Sequence, residues 1–115
     1  EDATTTTASN QNSSIPDSPS ITTATADAVV LTIGTGSVSD TTVTAPTNYT
    51  NQIDINGVDT LSVTVGMASR SIASPGAENP AAWTTWTDDP DGTWAAATGA
   101  IRPAVADTLF AQSIM

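Results

Sequence analysis

The chain contains no cysteine, no histidine and no lysine, and its only basic residues are Arg70 and Arg102. Without cysteine there is no disulfide, no thiolate nucleophile and no zinc–thiolate site. Without histidine, the Ser-His and Cys-His arrangements of nucleophilic catalysis are closed to it as well. Twelve acids against two arginines give a formal net charge of −10. Such a chain has no clustered cations to displace counterions from phosphate, which excludes ordinary nucleic-acid binding. The same deficit argues against docking on anionic lipid. No apolar run approaches the roughly 20 residues that a spanning helix needs, so no membrane partner is expected. Large apolar side chains are scarce too, with three Trp, one Tyr and one Phe, and much of the 38 % hydrophobic fraction is alanine. A thin core within one domain is the most that 115 residues of this kind can build.

What the chain has in plenty is threonine, 22 residues, whose branched Cβ suits exposed β-faces better than helices. Three zones follow from the distribution of apolar residues. Residues 1–19 hold Ile15 as their only large apolar side chain. They cannot offset the entropy of ordering by self-packing and are expected to form a flexible arm. Residues 20–104 carry the β signals. Residues 105–115, "VADTLFAQSIM", turn apolar again and are expected to lie as a short tail on a partner surface, through Leu109, Phe110, Ile114 and Met115. The opening on Glu1, not Met, leaves a processed terminus or an upstream segment open.

In the middle zone the period is two. "DAVVLTIG" is nearly continuous in apolar residues, which predicts a strand covered on both faces. "YTNQIDIN" places Tyr49, Ile53 and Ile55 on one side. In "VDTLSVTVGMAS", Leu61, Val63, Val65 and Met67 alternate with Ser62, Thr64, Gly66 and Ala68, the pattern of a half-buried antiparallel strand. Asn56-Gly57 between the last two runs favours a tight type I′ hairpin. Asp88 to Gly92 reads as a turn, since Asp bonds its own backbone, Pro pre-sets φ and Gly accepts positive φ. A last strand then puts Trp94, Ala96, Thr98, Ala100 and Arg102 on one face. Ala95, Ala97, Gly99 and Ile101 fall on the other. The whole predicts an all-β chain, an antiparallel β-sandwich or jelly-roll-like fold.

The order "ADAVVLTIG", "APTNYT", "SPGAENPAAWTTW" and "WAAATGAIRPA" resembles a domain of tailed-phage virion structural proteins over residues 20–104. The closing motif at residues 94–104 is its most distinctive part. The resemblance implies a jelly-roll β-sandwich displayed on a virion, without a catalytic site or cofactor. In the loop Ala45 to Thr50, Asn48 stands where similar domains carry Gly, and Asn tolerates the left-handed conformation required there. Similar domains also begin with further strands upstream, so the sheet here is either shorter or completed by another segment or chain.

Several residues invite a sharper chemistry. Asp88, Asp89 and Asp91 offer the hard oxygens that Ca²⁺ prefers, but the spacing of a calcium loop is missing and a plain acidic turn is the simpler expectation. Asp88, Asp89, Glu78 and Asp54 could be paired for glycoside hydrolysis, yet nothing around them suggests a buried acid, and an enzyme is not expected. Trp83, Trp86 and Trp94 are expected in the core, Trp94 above all; Trp83 or Trp86, if exposed, could stack on a sugar. Arg102 is expected to pair with a carboxylate at the end of the last strand. These readings converge on a non-enzymatic phage virion protein, a head decoration or tail-associated module. Its expected partners are capsid or tail proteins and further copies of itself in a homo-oligomer or lattice. The competing expectation is a glycan-binding attachment module of a tail fibre, or an extracellular adhesin or filament domain.

Overall fold

The computed structural model describes residues 1–38, 42–56 and 63–104. Among them the protein is all-β, an antiparallel sandwich of seven strands with no helix. These are β1 (Ala3–Asn10), β2 (Ile21–Thr23), β3 (Ala28–Gly36), β4 (Thr50–Asn56), β5 (Thr64–Ile72), β6 (Gly76–Glu78) and β7 (Trp94–Ile101). One sheet has the order β1-β7-β3-β5-β4, and β2 and β6 pair in a second. The runs "DAVVLTIG", "VDTLSVTVGMAS" and "WAAATGAI" supply β3, β5 and β7, the centre of the large sheet, and "YTNQIDIN" supplies the edge strand β4. The middle strand of that sheet, β3, pairs along its whole length with β5.

The first correction concerns the amino terminus. Composition predicts a flexible arm over residues 1–19, but β1 pairs antiparallel with β7 from Ala3↔Ala100 to Asn10↔Trp94, around an irregularity between Ala3 and Thr6. Ladder pairing, not burial of its own side chains, holds this Thr-rich strand in place, and pairing leaves no apolar signature in a sequence. Asp2 anchors its start. The Asp2 carboxylate accepts the Ala24 N–H at 2.6 Å, the Thr25 N–H at 3.3 Å and the Thr25 hydroxyl, and lies 3.7 Å from Arg102 Nε. Arg102 thus has the carboxylate partner expected of it, supplied from the other end of the chain. Beyond β1, Ser14 and Pro16 are also buried.

The second correction concerns which half of β5 is inside. Thr64, Gly66 and Ala68 are buried, whereas Val63 and Met67 are exposed. The small residues face inward because two indoles occupy the space above them. Trp83 and Trp86 are only 1 % and 5 % exposed and meet edge to face, with ring centroids 5.9 Å apart. Gly34 and Gly66 are cross-strand partners and form a bare seat for Trp83. A Cβ on Gly66 would come within 2.5 Å of Trp83 Cζ3, and one on Gly36 within 2.7 Å of Trp86 Nε1. Between the indoles, Thr85 has φ 56°, a left-handed conformation that costs a β-branched residue about 1–2 kcal/mol. This reversal is offset by the burial of both rings. Trp94, expected to be the most deeply placed of the three, is only half-buried at the end of β7.

Irregular segments and the small sheet complete the inner layer. Ile21 of β2 packs with Val30, Ala68 and Ala100 of the large sheet in one cluster with the two indoles. The Tyr49 hydroxyl donates to Glu78 Oε1 at 3.0 Å, and Arg70 Nη1 lies 2.9 Å from the same oxygen. That chain of contacts ties the turn before β4 and β6 to β5. Burial and the neighbouring Glu78 carboxylate push the Tyr49 hydroxyl pKa well above its ordinary value. Asn48 takes φ 70° in the turn before Tyr49, as its place in the loop requires. The expected pairing of β4 with β5 is present. Its register sets Ile55 opposite Val65 and Asn56 opposite Thr64, whereas a two-residue turn at Asn56-Gly57 would set Ile55 opposite Val58. Gly57 itself and Leu61 lie outside the described residues.

Candidate interaction surface

With the indoles on one side of the large sheet, the side chains on the other side face outward. Cross-strand register assembles them into rows. One row runs Thr7, Ala97, Ile33, Met67, Ile53 across β1, β7, β3, β5 and β4. The next runs Ser9, Ala95, Thr35, Val65, Ile55 across the same five strands. Ile53 and Ile55 are 58 % and 64 % exposed, and Ile33, Val63, Met67 and Ile101 are also open to solvent. The expectation that β3 is covered on both faces therefore holds for the Val30 face and fails for the Ile33 face.

Two properties set this face apart. Among the described residues it carries no Asp, Glu, Lys or Arg, although the chain as a whole carries fourteen such residues (twelve acids and two arginines). Its relief is also graded. Across these two rows the β1 and β7 side contributes Thr, Ser and Ala, while β5 and β4 contribute Val, Met and Ile; further along the face the order reverses, with Ile101 on β7 and the small Ser69 and Ser71 on β5. The small side chains leave a depression of about 640 Å³ bordered by Thr7, Ser9, Ile33, Thr35, Ala95 and Ala97. A smaller hollow of about 220 Å³ continues from it past Val63 to Trp94. A contiguous apolar area on the surface of a soluble domain marks an interaction site more often than chance exposure does.

The residues singled out for chemistry are dispersed. Asp88 accepts the Ser13 hydroxyl at 2.9 Å, and Asp89 Oδ1 accepts the Asp91 N–H at 3.0 Å within a turn closed by Gly92 N–H to Asp89 O at 2.8 Å. These carboxylates shape a turn against the segment at Ser13 and Ser14. Asp54 instead accepts from Gln52 on β4, and Glu78 is held by Tyr49 and Arg70. Among the described residues, no group of three or more acidic side chains is placed to hold a metal ion. Trp83 and Trp86, the candidate sugar contacts, lie in the core, where no ring face is open to a ligand. Leu109, Phe110, Ile114 and Met115, the expected partner contacts, lie outside the described residues. Sequence reasoning misses the outer face of the sheet as a surface. Charge gives little signal for it, since β3 and β7 carry no charged residue on either face and β5 only Arg70. Comparison with family models, with curated proteins and with solved structures finds no match.

Proposed function

We propose that this chain is a non-enzymatic structural protein of a bacteriophage virion, a head decoration or tail-associated module that works through subunit contacts. The observation that carries the reading is the outer face of the large sheet, apolar, uncharged and uncovered by any described residue. Such a face gives an otherwise strongly acidic protein one place at which neighbours can bury area without opposing like charges. The virion itself is supported by the resemblance of "WAAATGAIRPA", residues 94–104, and of the segments that precede it over residues 20–104. Repetition in a lattice makes individually weak contacts collectively strong, so a face of modest size suffices for such a role. Quantitative mass spectrometry of purified particles from the cells that encode the chain tests the reading. A copy number comparable to the major capsid protein fits head decoration, and a handful of copies fits the tail. Complete absence from particles, with the protein present in the lysate, would sink it.

A further inference from the structure

We propose that the outer face joins two copies of this chain in a twofold dimer, with β4 and β5 of each copy seated over β1 and β7 of the other. The inference deepens the structural role proposed above by naming a second copy as the partner. It starts from the graded relief. In both cross-strand rows the side chains are small on β1 and β7 and large on β5 and β4, Thr7 and Ala97 against Met67 and Ile53 in one, Ser9 and Ala95 against Val65 and Ile55 in the other. A face that is hollow on one half and raised on the other fits its own image when the two are turned about an axis parallel to the strands. The middle strand β3 then lies at the axis, so Ile33 meets its own counterpart. Ile53 and Ile55 descend into the depression bordered by Thr7, Ser9, Ala95 and Ala97. Contacts of this reciprocal kind define a closed isologous interface.

Charge points the same way. Each copy carries −10, and two copies approaching through any charged surface oppose one another. The outer face is the broad surface of the sheet on which that cost is least. Packing across it stacks two sheets about 10 Å apart, the spacing of a sandwich core. Five strands about 4.8 Å apart and nine-residue strands rising about 3.3 Å per residue make a face of roughly 20 by 30 Å. That area is at the low end for a specific complex. The dimer is therefore expected to be concentration-dependent.

The chain has no cysteine, so introduced thiols report the geometry without background. The full chain is used throughout. Ile33→Cys should form a disulfide dimer on mild oxidation. An equimolar mixture of Ile53→Cys and Thr7→Cys should cross-link to each other many-fold better than Ile53→Cys alone, because the twofold sets Ile53 over Thr7 and the two Ile53 positions on opposite flanks. Ile53→Asp replaces an exposed side chain and should keep the circular dichroism of the parent. Combined with Ile33→Cys in one chain, it should abolish the disulfide dimer that Ile33→Cys forms by itself. Equal cross-linking of Ile53→Cys with itself and with Thr7→Cys would overturn the arrangement. So would a full chain that stays monomeric at concentrations well above those of the cross-linking. A monomeric chain found in particles ends the dimer and leaves the virion reading standing. A dimer absent from particles does the reverse.

Discussion

Gly66 shows how much depends on an absent methyl group. Its Cβ position is 2.5 Å from Trp83 Cζ3 and 2.8 Å from Cη2, closer than packed carbons approach. Gly66→Ala should therefore destabilise by about 1–3 kcal/mol through overpacking, as seen in a shifted denaturant midpoint at constant slope. Gly99→Ala is the matched control. Its Cβ would meet only Thr5 Oγ1 at 3.4 Å, an ordinary contact, and the gain in strand propensity should leave stability unchanged or raised by about 0.5–1 kcal/mol. Tyr49 gives a prediction of a different kind. Its hydroxyl pKa is raised by burial and by Glu78, so the folded state holds the proton more tightly than the unfolded state. That contribution is complete below the ordinary tyrosine value of about 10 and is lost as the pH climbs beyond it. Stability should fall above about pH 10. Tyr49→Phe should cost about 1–2 kcal/mol at neutral pH, for the lost hydrogen bond to a carboxylate, and should flatten the alkaline decline. A decline that is the same in both proteins would refute the assignment.

Among the elements, β1 tests the account most sharply, because its composition is that of a loose arm. An eight-residue edge strand paired along β7 and pinned by the Asp2 carboxylate should show slow amide exchange at alternate positions between Thr6 and Ser9, those whose N–H groups point at β7. A flexible arm would exchange at once. Asp2→Ala should cost about 2 kcal/mol, since it leaves the Ala24 and Thr25 donors without their charged acceptor. Legible in the sequence at this scale are the elements that announce themselves by alternation or by turn chemistry: β3, β5, β7, the pairing of β4 with β5 and the left-handed Asn48. Hidden are the elements stabilised by something other than their own side chains. β1 depends on its neighbour's backbone, and the three-residue β2 and β6 are too short to show a period. The inward face of β5 is illegible for a related reason. Alternation separates the two faces but does not say which is core, and here loop-borne Trp83 and Trp86 fill the layer above the smaller set.

At the scale of the whole molecule, a protein poor in large apolar residues has placed a notable share of them outside. Ile33, Ile53, Ile55, Val63, Met67 and Ile101 stand on or beside a surface without charge, while the core relies on two indoles over glycine, alanine and threonine. The candidate site is hidden in the sequence for this reason, because exposed isoleucines in an alternating strand look like core. An interface of this kind responds to salt in a defined sense. The copies repel through their acids and attract through the face, so screening should strengthen association. The most direct single measurement is sedimentation of the full chain over a range of concentrations at low and at high ionic strength. The account predicts a monomer–dimer equilibrium that moves several-fold toward dimer as salt is added and disappears in Ile53→Asp. A monomer at every concentration and salt, or a dimer that Ile53→Asp leaves intact, would contradict it.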